Sequence, residues 1–168
     1  MATYHVDASR VFVAGLSAGA AMSVILGATY PDLYAAVGVH SGLAYAAAHD
    51  LDTAYAAMQH GGLAPARPKS RASRATGVPA RVVPTIVFHG DRDTTVNVVN
   101  AAHMLSPWVQ APEERDTTPR PDQYVTVERG QVPGGYAYTR SIYHDPPGHA
   151  LMEKWIVHQM GHAWSGGV

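Results

Sequence analysis

Arg10-Val11-Phe12-Val13-Ala14-Gly15-Leu16-Ser17-Ala18-Gly19-Ala20-Ala21-Met22 changes character at Gly15. Residues 10–14 form a short, apolar, β-branched run, the pattern of a strand buried in a parallel sheet. From Ser17 to Ala28 the chain is rich in Ala, Met, Ile and Leu until Tyr30-Pro31 stops it, which reads as a helix. The junction, Gly15-Leu16-Ser17-Ala18-Gly19, fits G-x-S-x-G in the strand–turn–helix context that motif requires. Such a tight turn makes the serine hydroxyl project, and glycines two residues either side let neighbouring backbone approach. The Ala18 N–H, at the helix start, points toward where an oxyanion would form. Ser17 is the candidate nucleophile and Ala18 the candidate oxyanion donor. With 16 glycines in the chain the pattern alone carries little weight, so the context matters more than the match.

Beyond the junction the alternation continues. Tyr34 to Val39 reads as a second buried strand, closed by His40-Ser41-Gly42. Asp50 is placed to cap a helix with Leu51, Ala54, Tyr55 and Met58 on one face, ended by Gly61-Gly62. Residues 63–81 hold Pro65, Pro68, Pro79 and five basic residues, and read as irregular surface. Val82 to Phe88 is a third strand ending at His89-Gly90, and Thr95 to Trp108 has helical spacing at Val96, Val99 and His103. Residues 110–122 read as a loop, and Tyr124 to Glu128 alternates. Tyr138 to Tyr143 and Glu153 to Met160 read as a hairpin joined through Asp145-Pro146-Pro147-Gly148. This order predicts a parallel α/β sheet, which carries its active site at the carboxyl ends of its strands. The segments at 15–19, 40–42, 89–93 and 161–167 are therefore the ones to inspect.

At 168 residues the chain has the length of one domain, residues 1–168. With 46% hydrophobic and 15% charged residues it has a globular balance. A net charge of −1 argues against a nucleic-acid partner, which calls for a strongly basic face. The basic stretch Arg67, Lys69, Arg71, Arg74 and Arg81 has no interleaved aromatics and reads as a solvated loop rather than a binding surface. Without cysteine there is no disulfide, thiolate metal site or thiol nucleophile. No apolar run approaches the ~18 residues of a membrane span, and no membrane partner is expected. The first seven residues lack the basic-then-apolar layout of a signal peptide.

A serine hydroxyl needs a base to take its proton, and the base needs an orienting carboxylate. In a fold entered through this motif the chain order is serine, acid, histidine. That order leaves His103, His144, His149, His158 and His162 as bases. His103 lies on a helix face, and His144, His149 and His158 belong to the hairpin or its turn. His162 alone stands on a glycine-flanked loop past the last strand and is preferred. His158 and His162 are four apart, a metal-ligand spacing on a helix, but the surrounding pattern is strand-like and no metal or other cofactor is expected. Asp91 and Asp93 both follow the third strand, and position hardly separates them. Each is also a plausible turn former, and Asp93 is placed to cap the next helix.

Gly-Leu-Ser-Ala-Gly-Ala-Ala-Met at 15–22 resembles the nucleophile elbow of the poly(3-hydroxybutyrate) depolymerase-like esterases of the α/β-hydrolase superfamily, whose relatives include feruloyl and acetylxylan esterases. Tyr30-Pro31-Asp32, Ser41-Gly42-Leu43, His89-Gly90-Asp91-Arg92-Asp93-Thr94-Thr95-Val96 with Asn100, and Gly161-His162-Ala163-Trp164-Ser165-Gly166-Gly167 are similar too. In the family pattern H-G-x-x-D-x-x-V the acid is the fifth residue, which carries over onto Asp93. The G-H-A-W block carries the base onto His162. The resemblance also implies that Ser41 and Trp164 lie near an acyl pocket, with Trp164 as a packing residue of the histidine loop the plainer alternative. The implied activity is serine ester hydrolysis, on hydroxyalkanoate polyesters or oligomers, or on short acyl or feruloyl esters.

The family fold normally begins with several strands before the elbow and ends with a helix past the histidine loop. Only 16 residues precede Ser17 here. The expectation is a partial α/β-hydrolase fold, a mostly parallel sheet with flanking helices and a C-terminal hairpin, forming the C-terminal catalytic portion of a longer esterase. It would expose an apolar strand edge and one sheet face, and a homodimer through that edge is the route by which a compact enzyme would complete its sheet. The competing expectation is a fragment that keeps the triad residues without assembling them.

Overall fold

The computed structural model describes residues 5–62, 81–104, 125–145 and 147–166. Six strands form one sheet: β1 (Phe12–Leu16), β2 (Ala36–His40), β3 (Thr85–Gly90), β4 (Val125–Gln131), β5 (Ala137–His144) and β6 (Ala150–Val157). Their order across the sheet is β1-β2-β3-β6-β5-β4. The four strands β1, β2, β3 and β6 run parallel, while β6, β5 and β4 form an antiparallel meander. Helix α1 (Ala18–Thr29) joins β1 to β2, and α2 (Leu51–His60) and the short α3 (Val99–His103) follow β2 and β3. A 3-10 turn at Ala8–Arg10, its Ser9 amide held by Asp7, leads into β1. No described helix is long and apolar enough to cross a membrane. The mostly parallel sheet with flanking helices and the C-terminal hairpin agree with the expected fold class.

β1 and β3 run further than their apolar residues suggest. β1 continues through Gly15 and Leu16, which pair with Val39 and His40 of β2. β3 continues through His89 and Gly90, which pair with Ile156 and Val157 of β6. Glycine and histidine read as closing these strands, but a ladder needs only backbone groups, and the neighbouring parallel strand supplies them. At the other extreme β6 stops at Val157 rather than Met160. Gln159 turns the chain at φ 64°, and the Asp91 carboxylate accepts its N–H at 2.6 Å.

The helix expected over 95–108 is helical only at Val99–His103 among the described residues, and 105–108 lie outside them. Asp93 takes the N–H groups of Thr95 and Val96, each at 2.9 Å, which folds this stretch as a side-chain-held turn. Asn97 then accepts from the Val99 N–H and opens the short helix. α2 forms as predicted, with Asp50 accepting from the Thr53 N–H at 2.8 Å and the Thr53 hydroxyl returning to the Asp50 N–H. Most of residues 63–81, and all of 110–122, lie outside the described residues. Arg81, the described member of the basic stretch, spends its guanidinium on the carbonyls of Pro31 and Tyr34.

The core lies on one face of the parallel half. Ala20 of α1, Val37 and Val39 of β2, Val87 of β3, Ala101 of α3 and Met104 close on one another. Gly27 lets α1 meet the Val37 side chain. The opposite face carries the register row Leu16, His40, Phe88, Trp155 and Arg140. Its rings stack, with centroids 5.9 Å apart from His40 to Phe88 and 5.6 Å from Phe88 to Trp155. β1 is an edge strand, and its Phe12 is 62% exposed.

Candidate active site

The carboxyl ends of all four parallel strands meet at one rim of the sheet. β1 leads into Ser17, β2 into Ser41, β3 into Asp93 and β6 into His162. Ser17 sits at φ 57° and ψ −120°, a left-handed conformation that costs a non-glycine residue about 1 kcal/mol or more. Its N–H donates to the His40 carbonyl at 2.9 Å, which ties the elbow to the end of β2. A Cβ on Gly15 would stand 2.2 Å from the Gly19 carbonyl carbon, so only glycine fits there. A Cβ on Gly19 would meet nothing within 4 Å. The two glycines of the motif therefore differ: Gly15 must lack a side chain so that the Gly19 backbone can pass. The Ala18 amide is among the first N–H groups of α1, which have no partner inside the helix.

Asp93 is buried to the last atom of its side chain. One carboxylate oxygen accepts from Thr95 and Val96, and the other accepts from His162 Nδ1 at 2.8 Å. Burial is the largest single influence on this group and would raise its pKa. The donors outweigh it: the Val96 amide, His162, the Thr95 amide and Ser41 together hold the carboxyl below its ordinary value. Asp93 is thus an anion in the folded protein. With its proton on Nδ1, His162 keeps Nε2 as its free basic nitrogen. Asp91, the other acid the spacing left open, instead meets His158 Nδ1 at 2.9 Å, and His158 Nε2 lies 2.9 Å from the Thr139 hydroxyl. The two Asp–His pairs stand side by side, one at each end of the turn from β6 to His162. The Ser17 hydroxyl makes no hydrogen bond to His162 among the described residues.

Gly90 allows this geometry. A Cβ there would lie 2.1 Å from the Met160 carbonyl oxygen, so the histidine loop can run against the end of β3 only over a glycine. The Arg92 N–H donates to the same carbonyl at 3.1 Å.

Two buried histidines complete the rim, and sequence reasoning assigned neither a role. His89 has no exposed surface, and its Nε2 donates to the Val96 carbonyl at 2.8 Å. Burial holds its pKa below the ordinary value, so its 3.5 Å approach to Asp93 is that of a neutral ring. His40 is 2% exposed, and burial, with the neighbouring His89 and His162, pushes its pKa down to about 4. Trp164 packs edge-on against the His40 ring at 5.5 Å. Both histidines precede the acid in the chain, and that order excluded them as bases. The available signal was different: each directly follows the apolar run of its strand and precedes a small residue, Ser41 or Gly90.

Beside the rim, a cavity of about 640 Å3 opens between α1 and α2. Ser17, Ala18 and Ser41 line it, and Met22, Ile25, Leu51, Ala54, Tyr55 and Met58 supply apolar walls. The stripe expected on α2 therefore faces this cavity. Trp164 lies outside the lining. No group of three His, Asp or Glu residues among the described residues is arranged to hold a metal ion.

Comparison with known proteins bears on this arrangement. The profile of the family described as Esterase PHB depolymerase matches residues 1–122. Poly(3-hydroxyalkanoate) depolymerase C of Paucimonas lemoignei is 31% identical over 170 residues, covering 96% of this chain and 37% of that protein. Acetylxylan esterase A of Aspergillus awamori is 29% identical over 150 residues, covering 80% of this chain and 49% of that protein. The solved acetyl xylan esterase from Aspergillus awamori superposes with a TM-score of 0.68 at 21% identity, over 98% of this chain and 58% of that one, a likeness of fold. The chain thus spans less than half the length of these curated relatives.

Proposed function

Because the chain belongs to the PHB depolymerase esterase family, we propose that it is the catalytic segment of a serine carboxylic-ester hydrolase. Ser17 attacks the ester carbonyl. His162 Nε2 takes the Ser17 proton and then delivers it to the leaving alcohol. Asp93 holds the Nδ1–H tautomer and stabilises the imidazolium. The Ala18 N–H donates to the developing oxyanion. Water, activated by His162, then hydrolyses the acyl-enzyme. This chemistry calls for no metal or cofactor. The observation that carries the reading is the 2.8 Å bond from His162 to a fully buried Asp93, at the same rim as the strained Ser17.

The cavity supports an ester with an apolar acyl part, such as a hydroxyalkanoate oligomer or a short acyl ester. Ser41, in its lining, is the substrate-side residue of this reading. Trp164, outside the lining, is better placed to pack the histidine loop onto His40. The acetylxylan esterase relatives support an acetyl or feruloyl ester on polysaccharide as the second substrate reading. The lack of a Ser17–His162 hydrogen bond favours a third reading, a segment that needs further strands before it turns over. The test is hydrolysis of p-nitrophenyl acetate and butyrate by the purified chain beside Ser17→Ala. Ser17-dependent turnover that is faster on butyrate is expected. Equal background rates for both proteins would reject catalysis by this chain.

A further inference from the structure

His40 stands on β2, outside the residues assigned to the chemistry, yet both its ring nitrogens are engaged. The Ser165 backbone N–H donates to Nε2 at 3.1 Å. A backbone amide only donates, so Nε2 must be the bare, accepting nitrogen. A neutral ring accepting at Nε2 carries its proton on Nδ1. That proton points along the 3.1 Å contact to the Ser41 hydroxyl oxygen. Because Ser41 Oγ accepts there, its own proton is free for another acceptor. Ser41 also lies near the Asp93 carboxylate and helps to favour its charged form. Asp93 in turn receives His162. His162 and Ser165 share one loop, so His40 and Asp93 hold the same segment at two points.

We propose that His40 is a positioning residue of the site: as the Nδ1–H tautomer it holds the histidine loop through Ser165 and anchors the Ser41 hydroxyl beside the loop. The inference rests on the ester-hydrolase reading for its kinetic consequence, but not for its hydrogen-bond geometry. The His40 tautomer follows from the single Ser165 amide. Burial reinforces it, since a His40 protonated at both nitrogens could not accept from that amide. Phe88 stacked on one side and Trp164 edge-on at another leave the ring little room to rotate away.

Nitrogen-15 NMR of the full chain at pH 7 reads the tautomer directly, without catalysis, and Nδ1–H is expected at His40. An Nε2–H ring or an imidazolium would overturn the proposal. In Ser17→Ala, which removes turnover, the downfield proton of the His162–Asp93 bond should be visible, and adding His40→Phe should broaden or remove it. In the active background His40→Phe should lower kcat about 10- to 100-fold with KM nearly unchanged. His40→Gln, which can still accept from Ser165, should recover part of the loss. A purely packing role for His40 predicts that Phe keeps both the resonance and kcat, and that result would also overturn the proposal. If no protein shows Ser17-dependent turnover, the ester-hydrolase reading falls, and the tautomer and the resonance decide this one.

Discussion

A carboxylate with no exposed surface stays ionised only where donors replace water, and Asp93 has three within 2.9 Å. Asp93→Asn would keep the shape but offer an N–H toward His162, reversing the tautomer. In an assembled triad this should cost about 10⁴-fold in kcat with little change in KM, measured on p-nitrophenyl butyrate. The elbow glycines allow a sharper test of the backbone. Gly15→Ala should destabilise by about 1–3 kcal/mol, because its Cβ would overlap the Gly19 carbonyl. Gly19→Ala, in the first turn of α1 with open space for a methyl, should be neutral or gain up to about 1 kcal/mol. Urea unfolding of both variants measures the contrast. At this scale Ser17 was legible because its motif is contiguous. His40 was not, because its partners are Ser165 and Trp164, 125 residues away in the case of Ser165.

Elements whose signals are local were read well. The α2 cap is contained within Asp50 and Thr53, and the β5–β6 hairpin announces itself through its turn. α3 was overestimated, because periodicity at Val96, Val99 and His103 cannot reveal that the Thr95 and Val96 amides go to Asp93. The meander also carries a polar cluster that sequence pattern did not reveal. Arg140 on β5 makes a bidentate pair with Glu153 on β6 at 3.1 and 2.8 Å and reaches Glu128 on β4 at 3.1 Å. The Trp155 indole N–H donates to the same Glu153, and Arg140 lies 5.1 Å over the Trp155 ring. Glu153→Gln should lower stability by about 1 kcal/mol, since the pair is only partly exposed and bidentate. The loss should shrink in high salt, as read by thermal unfolding at two ionic strengths.

For the molecule as a whole, the buried neutral histidines set the acid limit. His40 and His89 both have pKa values depressed by burial, His40 to about 4. As pH falls through about 6.5 the unfolded chain takes up protons that the folded chain refuses, so folded-state stability declines. Between pH 6.5 and 4 His40 alone should remove up to about 3 kcal/mol, with His89 adding in the same direction. The urea midpoint should therefore fall steadily across this window, and His40→Phe should flatten the slope. The parallel sheet was legible at β1, β2 and β3, because each is a compact apolar run. The crossing of β6 from its hairpin to β3 was not, because no local residue records it.

Strand pairing also sets an order in time. β4, β5 and β6 pair with their neighbours across the short connections at 132–136 and 145–149. β3 must find β6 across everything from 91 to 149, and β2 must find β3 across 41–84. Local pairings close in microseconds, whereas long-range parallel ones wait on an improbable loop closure. The meander should thus form early in refolding, and the rim that gathers Ser17, Asp93 and His162 last. During that interval the facing edges of β2 and β3 remain unpaired, able to meet the same strands in other molecules. Recovery of native protein after dilution from urea should then fall with protein concentration, and the loss should be set by these late parallel contacts.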